Sequence, residues 1–106
     1  MAERIVIVAY KPKSGKYDEL QKLVEEHYFI LKKEGLVSDR KPIIARSSDD
    51  EIVEIFGWKS SESIAQAHEN TIVQDLWKKF ADICEYIPVA NIRESKNLFS
   101  EFESLN

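Results

Sequence analysis

Apolar residues alternate from Arg4 to Lys11, with Ile5, Ile7 and Ala9 on one side and Val6, Val8 and Tyr10 on the other. A β-branched run of this kind predicts a strand that is apolar on both faces. Pro12 removes a backbone donor and Ser14-Gly15 breaks the pattern, so the strand stops there. From Lys16 to Glu34 the period lengthens. Tyr17, Leu20, Val24, Tyr28 and Leu31 form a stripe that Leu23 and Ile30 broaden, with Glu, Lys and Gln opposite, which predicts a surface helix. Lys32-Lys33-Glu34 then Gly35 supply a cationic last turn and a residue free to turn left-handed, so the helix is expected to end near Gly35.

Two extended stretches follow, Lys41 to Ser47 and Glu51 to Trp58, and Ser48-Asp49-Asp50 between them predicts a hairpin turn. The second strand sets Val53, Ile55 and Gly57 on one face and Ile52, Glu54, Phe56 and Trp58 on the other. Ser60-Ser61-Glu62 offers capping side chains and an early acid for a second helix, whose face runs through Ile64, Ala67, His68 and Ile72. The phase shifts around Asn70-Thr71 before Val73, Leu76, Phe80 and Ile83 resume it, which predicts two helical pieces. Glu85 to Arg93 returns to strand character, with Pro88 favouring an edge or bulge. Leu98, Phe99, Phe102 and Leu105 make a short amphipathic tail.

The order β-α-β-β-α-β over residues 1–95, with a tail over 96–106, predicts an α+β domain of the ferredoxin-like kind: a four-stranded antiparallel sheet with two helices on one face. The other face is then bare. Val6, Val8, Tyr10, Phe56 and Trp58, or the opposite set if the phase is reversed, would form a contiguous apolar patch, and such patches mark interfaces. We expect a homodimer with the two sheets packed face to face as a dimeric α+β barrel, leaving a pocket between sheet and helices in each subunit. The alternative is a monomer in which Leu98 to Leu105 roofs the bare face.

Composition narrows the function classes. At 106 residues and 43% hydrophobic content the chain is one domain, able to bury about two-thirds of its surface without a disulfide or structural metal. Its longest apolar run, Ile5 to Ala9, is too short to span a bilayer, and its start lacks the layout of a signal peptide, so a soluble cytoplasmic protein with no membrane association is expected. Fifteen Lys and Arg against 19 Asp and Glu give a formal net charge of -4, and with no basic block nucleic acid is not an expected partner. Cys84 is the single cysteine, so no intrachain disulfide can form, and with only His27 and His68 beside it no zinc-ligand spacing arises. No metal or cofactor is expected.

The segments Lys13-Ser14-Gly15-Lys16-Tyr17-Asp18-Glu19-Leu20, Glu34-Gly35, and Gly57-Trp58-Lys59-Ser60-Ser61-Glu62-Ser63-Ile64-Ala65-Gln66-Ala67-His68 resemble the antibiotic biosynthesis monooxygenase family. The resemblance covers roughly residues 4 to 93, and its distinctive part is Trp58 with His68 ten residues later. It implies a dimeric α+β barrel with a cavity between sheet and helices, used in some members to oxygenate polycyclic or quinol-like substrates without metal or flavin. The residues that accompany the Trp in the anthrone-type oxygenases are replaced here by Glu54, Ile64 and, approximately, Lys78. Those of the haem-degrading branch are replaced by about Val8, Ala67 and Trp77. What the resemblance carries over is therefore Trp58 and His68.

His68 shares a helical face with Ile64, Ala67 and Ile72, so its imidazole should look toward the enclosed space, where it could donate to a substrate oxygen or take its proton. The alternative is a half-buried histidine satisfied by a backbone carbonyl or by Glu54. Trp58, Phe56, Trp77, Tyr10 and Tyr86 are candidate walls for a small apolar or aromatic ligand, because flat rings supply area and Tyr and Trp add one polar atom; core or dimer packing explains each equally well. Arg46 and Glu54 are expected to form a cross-strand ion pair. Cys84 reads as a small buried thiol, and His27 as packing or solvent-facing. The functional expectation is a cofactor-independent monooxygenase-like protein acting on a small aromatic or quinol-type molecule. The alternatives are a non-catalytic dimeric binding protein, and an interaction module whose cavity is filled by side chains.

Overall fold

The computed structural model describes residues 2–106. It is an α+β protein with β1 (Arg4–Pro12), α1 (Tyr17–Lys33), β2 (Ile43–Arg46), β3 (Ile52–Trp58), α2 (Ser61–Glu69), α3 (Thr71–Ile83), β4 (Cys84–Ile87) and β5 (Glu103–Ser104). The strands form one open sheet in the order β4-β1-β3-β2-β5, and every pairing is antiparallel. Among the described residues, no helix is long and apolar enough to cross a membrane.

Local chemistry sets the ends of the elements. Gly35 adopts φ 74 just past α1, and the amides of Gly35 and Leu36 donate to the carbonyls of Lys32 and Leu31, closing the last turn. Asp50 takes φ 66 in the β2–β3 turn, a conformation a short polar side chain tolerates. At Asn70 the backbone is extended (φ -88, ψ 121), which ends α2, and the Asn70 side chain accepts from the amides of Ile72 and Val73, which starts α3. The phase shift in the sequence is thus a complete break between two capped helices.

All three helices lie over the sheet face that carries Tyr10, Ile52, Phe56 and Trp58. Two core clusters fill the layer between. One gathers Tyr10, Ile44 and Ile52 with Leu20 and Val24 of α1 and Leu76 and Phe80 of α3. The other gathers Phe56 and Trp58 with Tyr28 and Leu31 of α1, Ala67 of α2 and Val73 of α3. The bare face is therefore the opposite set, Ile5, Ile7, Ala9, Val53 and Ile55, joined by Ile43 and Ala45 of β2.

The C-terminal third departs from expectation. Strand character ends at Ile87, because Pro88 cannot continue the ladder and Val89–Asn91 and Arg93–Lys96 each form a single 3-10 turn. These turns fold Ile92 onto Ala9 and Val53 and bury it fully. The tail then adds β5 to the edge of β2, and Asn106 fastens the strand by accepting from the Ile44 amide and donating to the Pro42 carbonyl. Leu98 and Phe99 remain 94% and 80% exposed. The tail thus covers one end of the bare face and leaves Ile5, Ile7 and Ile43 about half exposed.

Asn70 caps one helix and ends another, and its side-chain amide also donates to Glu34 at the end of α1. Asn70→Ala is expected to lower stability by about 1 kcal/mol in urea unfolding, the usual worth of an N-cap; an unchanged midpoint would show that the cap is dispensable.

Candidate functional site

β4 pairs with β1 only from Ala9 to Pro12, so the Arg4–Val8 half of β1 has no strand beside it on that side. A cavity of about 350 Å³ lies there, between the helix-facing side of the sheet and the three helices. Val6 and Val8 of β1 floor it and are only half-buried although they face the helices. Tyr10, Phe56, Trp58, His68, Trp77 and Tyr86 all line this same cavity. The structure thus brings together all six residues singled out in the sequence, from β1, β3, α2, α3 and β4. More open hollows of about 490 and 510 Å³ lie elsewhere, lined largely by charged side chains of both signs. Among the described residues, no group of three or more His, Cys, Asp and Glu gathers to hold a metal ion.

His68 sits at the rim. It is exposed, and its ring meets the Trp77 indole edge-on with centroids 5.1 Å apart. Glu54 does not satisfy it, because that carboxyl is engaged elsewhere. Trp58 tilts against Phe56 at 5.3 Å, so the two rings form one wall. Tyr10 stacks on Phe80 at 5.0 Å and tilts against Tyr86 at 5.4 Å, joining the wall to the core. Burial pushes the Tyr86 phenol well above its usual pKa, with Cys84 and Glu54 adding to the shift. Burial likewise pushes the Cys84 thiol up to about 11, which leaves it a poor nucleophile.

Two further residues belong to the site, and both differ from the sequence reading. His27, read as packing or solvent-facing, is packed and not solvent-facing, and it also carries a polar contact. It is 4% exposed and lines the cavity, with its Nδ1 2.9 Å from Glu54 Oε1. Glu54 is fully buried and its Oε1 also accepts from the Tyr10 hydroxyl at 2.6 Å. The expected Arg46–Glu54 pair does not form. β5 brings Glu103 opposite Arg46 in register, and Arg46 pairs with Glu103 and lies over the Tyr17 ring. The signal for His27 was present in the stripe Leu20, Val24, His27, Leu31, and Glu54 alternates with Ile52 and Phe56 on the same inner face. Two polar residues on facing apolar surfaces have no economical arrangement except contact.

This polar unit is held on every side. The His27 ring stands edge-on to Phe56 at 5.4 Å and to Phe80 at 5.2 Å. Burial first, and then the neighbouring Glu54, raise the Tyr10 phenol well above its usual pKa, so it stays a donor to the carboxyl. Two atoms of the unit, His27 Nε2 and Glu54 Oε2, are buried without a partner. The arrangement can hold a flat molecule against largely apolar walls.

No family model matches the chain, and neither a curated protein nor a solved structure matches it at a significant level.

Removing the Tyr10 hydroxyl takes a donor from a buried carboxyl, so Tyr10→Phe is expected to cost about 1–3 kcal/mol in urea unfolding near neutral pH. The folded-state pKa of Tyr10 lies above the ordinary value of 10.0. Its stabilisation is therefore complete below pH 10 and declines as the pH rises past it, where the unfolded chain loses the proton and the folded chain keeps it. Tyr10→Phe should lose stability less steeply above that pH than the parent protein, and equal slopes would contradict the assignment.

Proposed function

We propose that the chain is a ferredoxin-like domain of the dimeric α+β barrel kind, resembling the antibiotic biosynthesis monooxygenases, that takes a small aromatic or quinol-type molecule between sheet and helices. The run β4-β1-β3-β2, with helices after β1 and β3, is the order a split βαβ unit requires, and β5 extends its edge. The observation that carries the functional reading is the cavity itself. Its size falls in the range of small-molecule sites, and its walls are mainly aromatic and aliphatic with a few polar atoms. The proposed chemistry is oxygenation without a cofactor. A hydroxyl of the bound ring gives up its proton to an imidazole of the wall. A carbon of the electron-rich phenolate or enolate then bonds one oxygen of dioxygen, the ring supplying the electrons, and loss of the other oxygen as water leaves a carbonyl on that carbon while Trp58 and Phe56 hold the ring. His68 at the rim serves as a hydrogen-bond partner for an oxygen at the outer end of the substrate.

The expected result is oxygen uptake by the purified protein with a panel of hydroquinones and naphthols. In His68→Ala, kcat/KM should fall by about tenfold or more, the worth of one hydrogen bond of about 1.4 kcal/mol, with unchanged folding. The second reading is a non-catalytic binding protein, favoured by the absence of any Lys, Arg, Asp or Glu among the lining residues. A ligand that co-purifies unchanged, with no uptake across the panel, selects it.

The partner proposed for the bare sheet face is a second copy of the chain. Ile7, Ile55 and Ile43 lie side by side across β1, β3 and β2, with Ile5 next along β1, and Ile5, Ile7 and Ile43 remain about half exposed. A flat apolar strip of this kind suits another sheet. Light scattering should give twice the chain's 12.3 kDa, and Ile7→Lys should give a folded monomer; a monomeric parent protein would overturn the dimer.

A further inference from the structure

Folded proteins seldom leave buried polar atoms unpartnered, because each one costs about 1–3 kcal/mol. Here two such atoms, His27 Nε2 and Glu54 Oε2, belong to a single hydrogen-bonded unit, and His27 is part of the cavity wall although Nε2 itself is covered, so a ligand must shift the ring or its neighbours to reach it. We propose that His27 Nε2 is the proton acceptor for an acidic hydroxyl on a flat ring, as in a phenol, naphthol or hydroquinone, and that Glu54 and Tyr10 are positioning residues that prepare it. This rests on the reading of the cavity as a site for an aromatic molecule.

The hydrogen-bond directions define the acceptor. The Tyr10 hydroxyl donates to Glu54 Oε1. As a carboxylate, Glu54 only accepts, so the second contact to that oxygen requires the proton of His27 on Nδ1. The lone pair of the ring is then on Nε2. Phe56 and Phe80, edge-on to the imidazole, hold the ring in this orientation. In the step itself the O–H bond of the ligand breaks, its electron pair stays on oxygen, and the proton forms an N–H bond at Nε2. The resulting imidazolium keeps its Nδ1–H bond to Glu54, whose negative charge offsets the new positive one. Glu54 Oε2 binds no other donor, so that charge is not drawn away. His68 cannot do the same from the rim, where it has no carboxylate behind it and stands exposed against Trp77.

The test uses two probes of similar shape, 4-nitrophenol and nitrobenzene, at a pH where free 4-nitrophenol is mostly neutral. Bound to the parent protein, 4-nitrophenol should show the absorption band of its phenolate. In His27→Gln and Glu54→Gln the band should disappear and affinity for 4-nitrophenol should fall by about tenfold or more. Nitrobenzene, which has no proton to give, should bind parent and variants alike, and His68→Ala should keep the band. A band that persists in His27→Gln, or one absent from the parent protein while nitrobenzene binds, overturns the inference and leaves the cavity reading standing. Failure of both probes to bind overturns both. Nitrogen NMR of the parent protein checks the same point without a variant. The ligand-free His27 ring should carry its proton on Nδ1 alone and gain a second on adding 4-nitrophenol; a proton on Nε2 before ligand is added would overturn the assignment.

Discussion

The structure depends on a carboxyl group buried at the centre of a sheet. Glu54 lies on the middle strand, opposite Val8 on one side and Ile44 on the other, and none of its surface reaches water. A carboxyl in that position is costly unless donors converge on it. Tyr10 supplies one from the neighbouring strand, and His27 Nδ1 meets the same oxygen at 2.9 Å from α1. The same contacts to Oε1 tie α1 to the sheet at a fixed place. The aromatic rings around His27 complete the fixation, since they leave the imidazole few orientations.

A second constraint comes from the short β4. Pro88 ends it after four residues, so half of β1 is left without a strand on its outer side and the layer between sheet and helices stays incompletely filled. Rings from six elements border the gap instead of closing it. The break at Asn70 contributes, because it lets α2 carry His68 to the rim while α3 carries Trp77 along the wall and Phe80 into the core. The two sheet faces consequently differ in role. One holds the helices and the cavity, and the other divides between the folded-back turns around Ile92 and an open strip of isoleucines.

Much of this was legible in the chain. Alternation located β1 and β3, the three-to-four spacing located the helices, and Gly35 and the Asn70 region marked the ends that the structure shows. The residues picked for their rings, together with His68, all border one cavity. What was not legible depended on contacts far apart in sequence. Arg46 looked like a partner for Glu54 until β5, fifty-seven residues away, brought Glu103 beside it. His27 looked like packing because nothing local tells a buried imidazole with a partner from one without.

Sequence alone determined the element order as far as the start of β4, the apolar character of both sheet faces and the supply of aromatic side chains, because periodicity and capping are local properties. Tertiary structure decided which face the helices cover, how far the tail reaches over the other, and that Glu54 and His27 meet. Those outcomes turn on strand register and helix placement, which set distances between residues that the chain keeps apart.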